Sequence, residues 1–248
     1  MAEMLETPQG RRIAYHRTDG AGPTVVFLGG FKSDMGGTKA VHLEAWAQAQ
    51  GRAFVRFDYS GHGESSGRFE DGAIGDWFAD AQAVLKMVPG PLVLVGSSMG
   101  GWISLLCARA MPARIAGLVT VAAAPDFTED SMWAGFDSAQ KAMLEREGQV
   151  ALPSEYGDPY IITRRLIADG RDHLVLRAAL PLACPVRCLQ GTADADVDVA
   201  VALRLLDHAT GPDIRLTLVK DADHRFSTPA CLDLIVTAVA DVLDLIRG

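Results

Sequence analysis

Leu92-Val93-Leu94-Val95-Gly96-Ser97-Ser98-Met99-Gly100-Gly101 is the stretch on which the reading of this chain turns. Its four leading apolar residues suit a strand buried on both faces, and the residues from Gly101 to Met111 suit a helix. Between them lies Gly96-Ser97-Ser98-Met99-Gly100, a G-x-S-x-G turn in a strand-turn-helix setting. A serine at such a turn occupies strained backbone, and side chains two positions before and after it would collide, so glycine is required at 96 and 100. Ser98 is thereby held out of the sheet. The helix that follows aims unpaired N–H groups and the positive end of its dipole at any negative charge that forms beside Ser98. Acyl transfer needs this geometry. Five residues alone could be a small-residue turn; the strand before, the helix after and the partners downstream favour the functional reading.

Those partners are expected in the order serine, acid, histidine, the order of alpha/beta-hydrolase triads. The run Pro185-Val186-Arg187-Cys188-Leu189-Gln190 reads as a strand ending in the turn Gly191-Thr192-Ala193-Asp194, which makes Asp194 the expected acid. Asp196 is the alternative, although it and Asp198 suit surface or helix-start positions, since aspartate commonly caps a helix. Asp126, just past another strand end, is held in reserve. The alternating run Ile214-Arg215-Leu216-Thr217-Leu218-Val219 reads as a half-buried strand and is followed by Asp221-Ala222-Asp223-His224-Arg225-Phe226, so His224 is the expected base. His16, His42, His173 and His208 follow no strand in the last segment. His62 lies before the serine, against the expected order.

In these roles Ser98 Oγ attacks an acyl carbon, His224 takes and returns the proton, and Asp194 orients the imidazole and stabilises its charge. Two backbone donors are needed for the oxyanion. One is expected to be the N–H of Met99, directly after the nucleophile, and the other that of Phe31, after the strand Thr24–Leu28 and the pair Gly29-Gly30.

The length of 248 residues fits one α/β domain with a full core. Hydrophobic residues, 49% of the chain, are dispersed, with no apolar run of about eighteen, so no membrane insertion is expected. The opening Met1-Ala2-Glu3-Met4-Leu5-Glu6 shows neither signal nor transit character, so a cytoplasmic location is the default expectation. A net charge of −8 argues against nucleic acid and anionic membranes as partners. Cys107, Cys184, Cys188 and Cys231 lack zinc-ligand spacing and are read as reduced and mostly buried; no metal site and no cofactor are expected.

Along the chain, strands are expected at Arg11–Arg17, Thr24–Leu28, Ala53–Phe57, Leu92–Val95 and Gly117–Val121, with helices at Lys39–Gln50 and Ala73–Val88. Asp58-Tyr59-Ser60-Gly61-His62-Gly63-Glu64-Ser65 reads as a turn-rich loop. Alternating strands and helices predict a mostly parallel sheet with helices on both faces, its ligands bound beyond the carboxyl ends of the strands. The pattern breaks after Ala124. Residues 125–181 are expected to form a small helical cap on a core made of 1–124 and 182–248, with helices near Ser131–Glu147 and Pro159–Asp169 separated by Leu152-Pro153-Ser154-Glu155-Tyr156. Met132, Trp133 and Phe136 would line an acyl pocket from above, or else form the cap's own core.

Four stretches carry a resemblance. Phe27-Leu28-Gly29-Gly30-Phe31-Lys32-Ser33-Asp34-Met35-Gly36-Gly37-Thr38-Lys39-Ala40, Arg56-Phe57-Asp58-Tyr59-Ser60-Gly61, Val95-Gly96-Ser97-Ser98-Met99-Gly100-Gly101-Trp102 and Leu152-Pro153-Ser154-Glu155-Tyr156 resemble the alpha/beta-hydrolase superfamily. Within it they are similar to the mitochondrial depalmitoylase and acyl-glucuronide esterase family, member ten of the alpha/beta-hydrolase-domain proteins, and its bacterial relatives. The resemblance spans most of the chain and implies the alpha/beta-hydrolase fold, triad roles for Ser98, Asp194 and His224, and acyl esters or thioesters as substrates, including S-acylated cysteine on proteins and acyl glucuronides. The opening residues show no mitochondrial presequence, which implies a bacterial member.

A serine carboxylesterase or thioesterase is therefore the leading expectation. A carbon-carbon bond hydrolase or acyltransferase with the same triad is the alternative within enzymes, and a non-catalytic binding protein on this fold is the alternative outside them. Dehalogenase and epoxide-hydrolase chemistry would place aspartate where Ser98 stands.

Overall fold

The computed structural model describes residues 2–153 and 159–247. In chain order the first elements are β1 (Glu3–Glu6), β2 (Arg12–Thr18), β3 (Ala21–Leu28), α1 (Thr38–Ala49), β4 (Arg52–Phe57), α2 (Ile74–Met87), β5 (Leu92–Ser97), α3 (Met99–Ala110) and β6 (Ile115–Val121). There follow α4 (Ser138–Glu147), β7 (Gln149–Leu152), β8 (Tyr160–Thr163), α5 (Arg164–Arg171) and β9 (Leu180–Pro181). The chain closes with β10 (Val186–Gly191), α6 (Val199–His208), β11 (Ala209–Thr210), β12 (Ile214–Val219) and α7 (Pro229–Arg247).

Among the described residues the central sheet has eight strands in the order β1-β2-β4-β3-β5-β6-β10-β12. β1 and β2 join it antiparallel at one edge, while every pairing from β4 across to β12 is parallel. Period-two alternation explains why these strands read as unbroken apolar runs. Val25 and Phe27 of β3 and Val93 and Val95 of β5 pack on one face with Leu43 of α1 and Val239 of α7. Val26 and Leu28, with Leu92 and Leu94, pack on the other with Trp77 of α2 and Trp102 of α3. This is the mostly parallel, doubly covered sheet that the sequence predicts.

After β3 the chain steps outward to β4, then crosses back to place β5 on the other side of β3. Such a reversal opens a crevice at the carboxyl ends of the two strands. Phe27 pairs with Val95 and Leu28 with Gly96, so Gly29–Phe31 leave β3 beside the turn that holds Ser98.

The segment between β6 and β10 differs from the expected pair of helices. Ser131–Glu147 is not one helix: a π-helical turn covers Thr128–Trp133, and α4 starts afresh at Ser138. Asp137 accepts the Gln140 N–H and donates its own N–H to Gln140 Oε1, a capping box that begins a new helix. Pro159–Asp169 is also divided. Tyr160–Thr163 pairs antiparallel with Gln149–Leu152, as the β-branched Ile161-Ile162-Thr163 run favours, and Thr163 caps α5 through Leu166 N–H. Ser154, Glu155 and Tyr156 of the intervening motif lie outside the described residues. β1 is an edge strand that the sequence pattern did not announce. No described helix is long and apolar enough to cross a membrane, and Cys107, Cys184, Cys188 and Cys231 are buried free thiols.

Candidate active site

Ser98 caps α3 with φ +54° and ψ −119°, a conformation few side-chain-bearing residues adopt. The glycines around it have no alternative. A Cβ on Gly96 would lie 2.3 Å from Gly100 O, and one on Gly100 would lie 2.1 Å from Leu28 O and 2.5 Å from Gly29 O. Three backbone bonds hold the strained residue in place: Ser98 N–H donates to Val121 O, and Ser98 O accepts from Gly101 N–H and Ala124 N–H.

Asp194 and His224, the expected acid and base, come from loops at the ends of β10 and β12 that are tied to each other. Thr192 N–H donates to Val219 O, Ala193 N–H to Ala222 O, and Asp221 N–H to Thr192 Oγ1. Gly191 permits this approach, since a Cβ there would stand 2.1 Å from Ala222 O. The fully buried Phe226 anchors the second loop just past His224.

His224 Nε2 lies 3.1 Å from Ser98 Oγ, and His224 Nδ1 lies 2.9 Å from Asp194 Oδ2. Asp194 Oδ2 also accepts from Gln190 Nε2, while Oδ1 accepts the N–H groups of Asp196 and Val197. Burial opposes charge on this carboxyl, but the bonds from His224, Val197 and Gln190 outweigh it and hold Asp194 below the usual carboxylate range. An ionised carboxylate only accepts, so His224 Nδ1 carries the proton and Nε2 is left to accept from the Ser98 hydroxyl. Asp196 does not reach the imidazole; it is exposed and meets Asp194 only through its backbone. Asp126 is also elsewhere. Its carboxylate accepts from Val175 N–H, Leu176 N–H and Arg177, joining the two ends of the segment between β6 and β10.

Asp194, Asp196 and His224 bring three potential metal-ligand atoms within 4.8 Å of one another. Asp194 and His224 are hydrogen-bonded to each other, so the cluster is a carboxylate-imidazole pair with an exposed neighbour rather than a closed ligand set.

Met99 heads α3, where its N–H has no intrahelical acceptor. Gly30 abuts Ser98, with a Cβ there standing 3.3 Å from Ser98 Cβ. Gly30 O turns away to accept from Ser33 N–H and Ser33 Oγ. In a planar trans peptide the next N–H points the opposite way, so that of Phe31 leaves this turn on its far side and has no partner among the described residues.

A cavity of about 580 Å³ opens over Ser98 and His224. Phe31, Phe127, Met132 and Tyr160 give it an apolar wall, and Lys32, Lys39 and Asp196 are among its polar residues. Of the three residues expected to line it, Met132 does. Trp133 and Phe136 do not. Trp133 lies under the cations of Lys141 and Arg171, 5.1 Å and 4.8 Å from its ring, and Phe136 is buried against it in the hydrophobic cluster shared with α2 and α3. Successive residues of the π-helical turn project in different directions, so Met132 meets the cavity while Trp133 meets Lys141 and Arg171. Sequence reasoning missed Phe127 and Tyr160. Tyr160 was hidden by the expected helix, and Phe127 follows Asp126 past a strand end, the one signal that could have found it.

Residues 21–166 match the family model described as Serine aminopeptidase, S33. The chain is 35% identical over 243 residues to the rat palmitoyl-protein thioesterase ABHD10, mitochondrial, covering 97% of this chain and 82% of that protein. A putative hydrolase from Agrobacterium vitis S4 superposes with a TM-score of 0.94 at 40% identity, covering 98% of both chains. Mouse alpha/beta hydrolase domain-containing protein 10 gives a TM-score of 0.91 at 32% identity, covering 99% of both.

Proposed function

This chain is a hydrolase belonging to the Serine aminopeptidase, S33 family of alpha/beta hydrolases, and on that footing we propose that it cleaves acyl thioesters and esters through an acyl-enzyme on Ser98. The observation that carries this reading is the unbroken hydrogen-bonded series Ser98 Oγ, His224, Asp194 at the floor of a cavity with an apolar wall.

Ser98 Oγ attacks the acyl carbon while His224 Nε2 takes the hydroxyl proton, and Asp194 stabilises the imidazolium through Nδ1–H. The tetrahedral oxyanion is held by the N–H groups of Met99 and Phe31, within reach of the dipole of α3. His224 then gives its proton to the departing thiolate or alkoxide as the bond to the acyl carbon breaks. A water molecule, deprotonated by His224, attacks the acyl-enzyme; the second tetrahedral intermediate collapses, the acid leaves, and Ser98 recovers its proton. The apolar wall of Phe31, Phe127, Met132 and Tyr160 supports an acyl chain as the group it accommodates. S-acylated cysteine and acyl glucuronides are the proposed natural classes.

The test is kcat/KM for wild type and Ser98→Ala across p-nitrophenyl esters and acyl thioesters from acetyl to palmitoyl. Activity that rises along the series and vanishes in the variant is expected. Turnover retained in Ser98→Ala would overturn the reading, and a wild type that labels with a fluorophosphonate yet hydrolyses nothing would move the reaction to carbon-carbon substrates or acyl transfer.

A further inference from the structure

The reaction above makes no use of Asp58–Ser65, yet this loop closes around the turn that follows β3. Lys32 N–H donates to His62 Nε2 at 3.1 Å, Met35 N–H to Asp58 Oδ1 at 2.6 Å, and Arg56 Nη1 to Met35 O at 2.8 Å. His62 is only 4% exposed. Its Nδ1 lies 3.1 Å from Ser60 O. An amide N–H can only donate and a carbonyl can only accept, so the two bonds assign the tautomer: Nδ1 carries the proton and Nε2 offers its lone pair to Lys32. Burial lowers the pKa of this imidazole against the opposing pulls of Ser60 O and the Asp80 charge, which keeps the ring neutral.

The ring is also fixed mechanically. Tyr59, Phe69 and Trp77 meet it edge-on with centroids at 5.6, 5.2 and 5.2 Å. Ser60 O accepts Trp77 Nε1–H as well, Ser60 N–H and Oγ–H donate to Asp80 Oδ2, and Asp80 Oδ1 accepts from Arg11. A rigid polar chain therefore runs from Arg11 to the backbone of Lys32. Lys32 itself has φ +57°, a left-handed conformation that a lysine holds only under constraint. On one side of Phe31 the peptide is pinned by Gly30 O bound to Ser33, and on the other by Lys32 N–H bound to His62. The Phe31 N–H lies in the first of these peptide planes, and the second is joined to it through the Phe31 Cα.

We infer that His62 is a positioning residue for acyl transfer: by accepting Lys32 N–H it fixes the peptide after Phe31, limits rotation about the Phe31 Cα, and so keeps the preceding peptide with the Phe31 N–H aimed at the developing oxyanion. The inference rests on the hydrolase reading of the Ser98 site. Its effect belongs to the transition state, because the ground-state carbonyl asks less of that donor.

Two near-isosteric variants separate positioning from packing. The amide of His62→Gln reaches the place of Nε2 and restores an acceptor for Lys32 N–H. His62→Asn reaches only the place of Nδ1, keeping a donor to Ser60 O and no acceptor for Lys32. Active sites are counted by fluorophosphonate titrated to completion, and kcat per titrated site is measured on one ester. In His62→Asn kcat is expected to fall about 10- to 100-fold with KM nearly unchanged, since losing one oxyanion donor outright costs more. His62→Gln should recover most of that loss, and inhibition by an acyl trifluoromethyl ketone, whose adduct places its oxyanion in the same hole, should weaken in parallel with kcat. If His62→Asn does not fold, His62→Met supplies the same loss of acceptor. Wild-type kcat per titrated site in the acceptor-less variant, equal losses in His62→Gln and His62→Asn, or unchanged ketone affinity would each overturn the inference while leaving the hydrolase reading intact. A wild type that neither labels nor hydrolyses would instead overturn both.

Discussion

His224 Nε2 stands 3.1 Å from Ser98 Oγ while its Nδ1 stands 2.9 Å from Asp194 Oδ2, so one imidazole joins the ends of β5 and β10. Residues coupled in this way fail as a unit. Ser98→Ala is expected to lower kcat by about 10⁴-fold or more. It should leave the melting temperature close to wild type, because the bonds holding residue 98 in the turn are all made by backbone atoms. Circular dichroism melts beside ester turnover check this, and a large loss of stability would show that the hydroxyl supports the fold.

Asp194 and Asp196 are two residues apart and differ in every physical respect that bears on acid duty. The Asp194 side chain is fully buried and bonded to the imidazole, whereas Asp196 is exposed. Asp194→Asn should cost about 10⁴-fold in kcat by favouring the wrong tautomer of His224; Asp196→Asn should leave kcat close to wild type. The same contrast extends to acid stability. With its folded pKa below its unfolded value, Asp194 binds fewer protons native than unfolded. Its contribution is therefore fully present above about pH 3.9 and is lost as pH falls through the depressed folded value. Urea titrations across that range should give a flatter acid limb for Asp194→Asn than for wild type.

Gly100→Ala tests the elbow without touching a reacting group. Its Cβ would meet the carbonyl oxygens of Leu28 and Gly29 at 2.1 and 2.5 Å, both backbone atoms at the end of β3 that cannot swing aside. A destabilisation of about 3 kcal/mol or more in urea is expected. Gly135→Ala, with open space around its Cβ, should change stability by less than about 0.5 kcal/mol. Equal effects at the two positions would contradict this account of the turn.

Asp126 gives a stability prediction for the segment over the site. Its buried carboxylate accepts Val175 and Leu176 N–H and pairs with Arg177 at 3.0 Å, and its φ of +60° is a conformation asparagine also tolerates. Asp126→Asn therefore isolates the bonds from the backbone strain. One of the two N–H groups is left facing an amide nitrogen, at a cost of about 2 kcal/mol. Hydrogen exchange should quicken first at Val175 and Leu176; unchanged protection there would mean that the carboxylate does not hold the segment down.

The elbow was legible in the sequence because its constraints are local: glycine at 96 and 100 answers to clashes within a few residues and with the adjoining strand. The placement of Asp194 and His224 beside Ser98 was legible because each follows a strand-like run, and the doubly buried sheet makes those runs conspicuous. The segment between β6 and β10 was not, since its elements are short and tertiary contacts decide them. Asp137 and Gln140 do carry a helix-start signal, yet the apolar spacing around them reads straight through it. The roles of Met132 and Trp133 depend on where the cavity lies, which no periodicity reveals. His62 was set aside on chain order, a rule that speaks to the triad and not to the residues that hold an oxyanion loop.

The cavity wall yields the last prediction, on chain length. Met132 lines the space over Ser98, while the adjacent Trp133 is held outside it by Lys141 and Arg171. Met132→Trp adds bulk where the acyl chain would lie, so kcat/KM for long acyl groups should fall while that for acetyl esters is retained. Each methylene denied burial is worth about 0.8 kcal/mol, so blocking two of them predicts a loss of more than about tenfold on the longer substrates. Trp133→Ala should instead lower stability through lost packing and cation–π contact and leave the ratio of long to short substrates unchanged. Substrate profiles of both variants, normalised to titrated active sites, separate the two roles. A shifted optimum in Trp133→Ala, or an unshifted one in Met132→Trp, would show that the acyl chain takes another path out of the site.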